Sequence, residues 1–88
     1  MKIEKKTWPG MFQKILDGDK TFDLRVADFN AEEGDTLVLR EFDPKTNQYT
    51  GRSVEKIISF VLRTKDLNFY DPLDVKKYGF IIMALEPR

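Results

Sequence analysis

Three apolar, β-branched runs of strand length confine this chain to a small sheet-based domain. They are Thr36 to Phe42, Ser53 to Leu62 and Phe80 to Leu85. Turn signals separate them: Glu33-Gly34-Asp35 before the first run and Asp43-Pro44-Lys45-Thr46-Asn47 after it. The charged segment Met1 to Lys6 and the alternating segment Lys20 to Val26 read as two further strands. Only one stretch has the spacing of a substantial helix. Phe12, Ile15 and Leu16 fall on one face, Pro9 suits a first turn, Thr7 is the expected N-cap, and Gly18 stops the helix near Asp17.

The remainder is punctuated in the same way. Thr50-Gly51-Arg52 predicts a bulge, because a glycine inside a strand commonly marks one. The run from Ser53 to Leu62 is long enough to bend and serve two parts of a barrel. Asp71-Pro72-Leu73-Asp74 opens a short helix with Asp71 as N-cap, and Gly79 closes it. Phe80 to Leu85, apolar throughout, is expected to be a central strand covered on both faces. The order β-α-β-β-β-(short α)-β, with mostly short connections, predicts an α+β fold: a small mixed barrel with one main and one short helix. The 88 residues make one domain, 1–88.

Composition narrows the chemistry. There is no cysteine and no histidine, so thiol nucleophiles, zinc sites and the commonest general base are excluded. No metal and no cofactor are expected. Lys plus Arg equals Asp plus Glu at 15 each, which argues against a protein built to grip long phosphate backbones and favours a localised ligand. No apolar run approaches the ~20 residues that cross a bilayer, and the N-terminal residues are charged, so a cytoplasmic, monomeric domain is expected.

The candidate site is Gly18-Asp19-Lys20-Thr21-Phe22-Asp23-Leu24-Arg25. Strand alternation would send Phe22 and Leu24 to the core and set Thr21, Asp23 and Arg25 on one ledge beside Lys20. Each residue has two readings. Lys20 is a phosphate ligand or desolvated base, or an exposed turn lysine. Asp23 and Arg25 are a recognition pair, with the arginine fork on a phosphate or carbonyl, or a plain surface salt bridge. Trp8 is a stacking platform or, by preference, a staple packing the helix on the sheet. Arg52 contacts phosphate if the bulge turns it inward; otherwise it faces water. Glu41 reads as a rim carboxylate of structural use.

The string GDKTFDLR resembles the G-x-K-x-x-E-x-R signature of the ASCH superfamily, whose domains have a PUA-like fold. With TWPGMF, EEGDTLVLREFDPKT and YTGR, the resemblance extends from about residue 2 to residue 85 and is closest to small bacterial and phage proteins. It implies a pseudo-barrel with a cleft between the first helix and the sheet. Lys20 and Arg25 match the signature directly, while Asp23 stands where Glu is usual and reaches one methylene less far. The resemblance implies binding of RNA or a nucleotide through Lys20, Asp23 and Arg25, with Trp8 and Arg52 nearby. Its alternative is a metal-free hydrolase acting on acylated nucleosides or RNA, with Lys20 as base, Thr21 as the nearest hydroxyl and Asp23 as orienting group. A third reading is an adaptor that binds a protein through a sheet edge.

Overall fold

The computed structural model describes residues 1–87. It is an α+β arrangement of three strands, two α-helices and one 3-10 turn. Strand β1 covers Lys2–Thr7, helix α1 Pro9–Leu16, β2 Thr36–Asp43, β3 Gln48–Ile57 and helix α2 Pro72–Tyr78. The sheet has the order β1-β2-β3. β1 runs parallel to β2, with Ile3 opposite Leu37 and Thr7 opposite Glu41. β3 runs antiparallel to β2, with Leu39 opposite Val54 and Phe42 opposite Tyr49.

Side-chain alternation gives the sheet two unlike faces. Leu37, Leu39 and Glu41 are buried on one face. α1 packs there through Ile15, and Ile3, Val54 and Ile58 complete the cluster. Phe12, also on α1, is wholly buried. Covering Phe12 and Ile15 stabilises the fold by about 2 kcal/mol each. The opposite face is open to solvent, with Lys2, Glu4, Lys6, Tyr49 and Glu55 exposed.

The start of α1 differs from the expected cap. Pro9 occupies the first helical position, and a residue before proline is driven to extended backbone. Trp8 obeys this with ψ 152° and becomes the N-cap, with no side-chain cap bond. Thr7 therefore stays in β1 and is free for another partner. The end is as expected: Gly18 takes φ +81°, and the amides of Asp19 and Lys20 both turn back onto the Lys14 carbonyl at 3.0 Å. This reversal sets Lys20 directly beyond the last turn.

The bulge also falls where glycine marked it. The pairing Arg40–Ser53 shifts to Phe42–Tyr49, so Thr50, Gly51 and Arg52 stand against Glu41 alone. Gly51 takes φ +94° to make the turn. The hairpin between β2 and β3 is closed by the Asn47 amide on the Asp43 carbonyl at 2.8 Å. Asp71 caps α2 by accepting from the Leu73 amide at 2.9 Å, and Gly79 ends it.

Two expected strands are absent. Lys20 to Val26 has no ladder partner and runs as irregular chain. The residues of alternating type there are tied by side-chain bonds instead. Phe80 to Leu85 is neither central nor covered: Ile81, Met83 and Leu85 are exposed. β3 ends at Ile57, five residues before the end of the run that predicted it, after which residues 59–63 leave the sheet. Among the described residues the sheet is open, with β1 and β3 as its edges. No helix among these residues is long and apolar enough to cross a membrane.

Candidate functional site

α1 is only eight residues, and part of the sheet face lies beyond its reach. Beside it opens a cavity of about 430 Å³, lined by Ile15 of α1, Leu37 and Leu39 of β2, and Lys20, Asp23 and Arg25. A second, shallower hollow of about 470 Å³ lies on the other side of the same three residues, bordered by Lys6, Trp8, Met11 and Lys14. Both volumes fall in the range of small-ligand sites. The Lys20–Asp23–Arg25 cluster forms the wall between them.

The three charged side chains meet although no strand aligns them. Asp23 sits between two cations, with Lys20 Nζ at 3.5 Å from Oδ1 and Arg25 Nε at 2.5 Å from Oδ2. Lys20 Nζ also donates to the Phe22 carbonyl at 2.7 Å. Arg25 is anchored to β1: its Nη2 donates to the Lys6 carbonyl at 2.9 Å and to the Thr7 hydroxyl at 3.0 Å. The Lys20 side chain is 12% exposed, Asp23 20% and Arg25 24%. An ion pair of that partial burial, held by hydrogen bonds at both ends, is more ordered than an isolated surface pair. One acid against two bases leaves the cluster with a net positive charge. Thr21 lines the cavity but has no hydrogen bond to Lys20 among the described residues.

Trp8 is 63% exposed and borders the second hollow, so it does not staple the helix to the sheet. The extended conformation that Pro9 imposes turns it outward. Its indole is available as a stacking face. Lys6 and Lys14 border the same hollow and have no carboxylate partner among the described residues.

Arg52, its side chain half exposed, is turned to Glu41 and away from both hollows. Its Nε and Nη2 each lie 2.9 Å from a Glu41 oxygen, a two-pronged pair, and Nη2 reaches the Gln13 amide oxygen at 3.3 Å. The guanidinium also lies 5.0 Å from the centre of the Phe12 ring. Thr50 donates to Glu41 at 2.6 Å. The bulge turns both Thr50 and Arg52 to the same carboxylate. These bonds, the Arg52 bond first and the Thr50 bond second, hold the Glu41 carboxyl at about 2 against its usual 4.5. The Arg52 guanidinium is pushed up in turn by the Glu41 bond. Arg52 thus clamps α1 to the sheet, and it borders neither hollow.

Sequence reasoning passes over Thr7 as part of this region, and it weighs Lys5 and Lys6 beside Trp8 as a small basic–aromatic cluster against a solvated strand edge. The residue type of Thr7 points to a helix cap, and only the proline rule, applied to Trp8, releases it. Lys6 reads as a solvated edge residue until the sheet register places it at the end where Arg25 lands. No group of three or more acidic side chains that could hold a metal ion occurs among the described residues.

No curated protein and no solved structure matches the chain. Residues 3–78 match the family described as a domain of unknown function, DUF3850. That span runs from β1 through α2 and takes in both hollows' charged wall, the Glu41–Arg52 clamp and the bulge. The chain belongs to the DUF3850 family.

Proposed function

We propose that this domain is an RNA- or nucleotide-binding module of the ASCH type, with its ligand seated against Lys20, Asp23 and Arg25 in the cleft between α1 and the sheet. A PUA-like barrel is part of the same proposal, with segments 20–26 and 80–85 as the elements that would close it. The observation that carries the binding reading is the meeting of amine, carboxylate and guanidinium on the wall between two hollows, beside an exposed indole. A phosphate or base carbonyl finds cationic donors there, a base edge finds the Asp23 carboxylate, and a base face finds Trp8. RNA fits better than duplex DNA, because exposed bases meet isolated aromatic faces, while α1 is too short and too weakly basic to read a major groove.

Binding is preferred to hydrolysis on the geometry of Lys20. Its Nζ is used as a donor to the Phe22 carbonyl and as partner of Asp23. A base that activates water or a hydroxyl needs that hydroxyl within hydrogen-bond reach. Titration of the domain with mononucleotides and short oligoribonucleotides, read by amide chemical shifts, tests the proposal. Shifts centred on residues 18–25 and Trp8, weakened in Lys20→Ala, support it. Resonances that stay fixed with every nucleotide and oligonucleotide overturn it, and consumption of an N-acylated cytidine would transfer the site to the hydrolase reading.

A further inference from the structure

The charged wall stands at one end of the sheet, and the register determines what else is there. β1 and β2 run the same way, so Lys6 and Arg40 lie opposite one another. Antiparallel pairing brings Tyr49, at the start of β3, opposite Phe42 at the same end. These four side chains lie on the solvent face, away from α1. They are packed together there. Lys6 Nζ is 4.3 Å from the centre of the Phe42 ring and 5.7 Å from that of Tyr49. The Arg40 guanidinium lies 3.9 Å over Tyr49, and the two rings meet edge to face at 5.2 Å. Neither Lys6 nor Arg40 pairs with a carboxylate among the described residues.

Lys6 joins this patch to the ledge. Its carbonyl accepts from Arg25, the residue borders the Trp8 hollow, and its side chain covers Phe42. Trp8 and Lys6 border one hollow, and Lys6, Arg40, Phe42 and Tyr49 pack together on the adjoining face, so aromatic faces and cations without a carboxylate partner lie along one end of the sheet. Two strand spacings separate β1 from β3, about 10 Å. A mononucleotide on the ledge would leave that array unused.

We infer that the ligand is a single-stranded RNA of roughly four nucleotides that passes from the ledge, across Lys6, onto the open sheet face. This rests on the binding reading above and extends it. One base stacks at Trp8. The phosphates that follow meet Lys6 and Arg40, and a later base stacks where the Arg40 guanidinium and the Tyr49 ring now cover each other. A duplex is excluded by this path, since its bases present no faces to Trp8 and Tyr49.

The test compares uridine and adenosine hexanucleotides with UMP and AMP, using wild type, Arg40→Gln and Tyr49→Leu. Both substitutions are at the solvent face, and Tyr49→Leu keeps an apolar body beside Phe42, so folding is checked by the unchanged β2 and β3 amide spectrum. The hexamers are expected to bind at least tenfold tighter than the mononucleotides. Each variant should lose about three- to tenfold of hexamer affinity with mononucleotide affinity unchanged. Arg40→Gln should also reduce the slope of log affinity against log salt by about 0.7. Equal affinity for hexamer and mononucleotide, or hexamer binding untouched by both variants, overturns this inference while the ledge site stands. An RNA duplex that binds as well as the hexamers overturns it too. No binding by any probe overturns both.

Discussion

The guanidinium of Arg25 and the hydroxyl of Thr7 lie 3.0 Å apart, although the two residues are eighteen positions apart in the chain. This contact, with the adjoining bond to the Lys6 carbonyl, docks the irregular segment 20–26 on the end of β1. It explains how a ledge forms without a strand. Position is imposed by one side chain with several planar donors, not by a backbone ladder. Arg25→Lys keeps the charge and loses the fork. It should lower nucleotide affinity about tenfold, more than Thr7→Val, and leave the β2 amide spectrum unchanged. Isothermal titration with AMP and UMP, beside an amide spectrum of each variant, measures this.

Lys20→Gln separates charge from shape. The amide can still donate to the Phe22 carbonyl, while the ion pair with Asp23 is removed. If Lys20 meets a phosphate, hexanucleotide affinity falls about three- to tenfold and the salt slope drops by about 0.7. Unchanged affinity across a salt series would assign Lys20 to holding Asp23 alone.

Glu41 is the acid-sensitive point of the fold. Its carboxyl is held at about 2 by Arg52 and Thr50, against 4.5 ordinarily. The folded state therefore prefers the charged form more than the unfolded chain does. The stabilisation is complete above about pH 4.5 and is lost as pH falls toward 2, where the folded carboxyl itself takes up a proton. Asp35 acts in the same direction, lowered first by the Glu32 amide and then by the N-terminal amine. Comparing wild type with Glu41→Gln isolates Glu41. The variant should melt about 5–15 °C lower at pH 7, and the gap should narrow below pH 4. Thermal melts followed by circular dichroism between pH 7 and pH 2.5 supply the measurement.

Gly51→Ala tests the bulge. An added Cβ meets nothing within 4 Å, so no clash arises. The cost is conformational, since φ +94° disfavours any L side chain, and should amount to roughly 1–2 kcal/mol. Urea unfolding reads it directly, with an unchanged m value if the fold is retained. A neutral result would mean that the strand can re-register without the bulge.

What could be read from the chain followed the range of the interaction involved. Local signals were reliable: Pro9 and Gly18 bound α1, Asp71 and Gly79 bound α2, and Gly51 marked the bulge. The ledge residues were identified and do converge, but for a reason that alternation could not supply. Strand spacing predicted their shared face, whereas Asp23 and the distant β1 terminus produce it. Segments 20–26 and 80–85 have strand composition without a ladder, because β propensity is realised only where a neighbouring strand is present. The engagement of Arg52 was hidden for a related reason. Its partner Glu41 lies across a hairpin, in a register that is settled only once the bulge inserts its extra residues. For Trp8 the residue type points to packing, while its neighbour Pro9 carries the better information, extended backbone and an exposed indole.

The parallel pairing of β1 with β2 has a topological corollary. Two neighbouring strands that point the same way oblige the polypeptide to travel back along their full length before the second can begin. Residues 8–35 make that return journey, and α1, the indole and the whole charged wall lie along it. Trp8 and the ledge of the proposed recognition surface thus lie on the very segment that the topology requires. Altering their chemistry is open to the protein, whereas dispensing with them would leave β2 unable to reach its place.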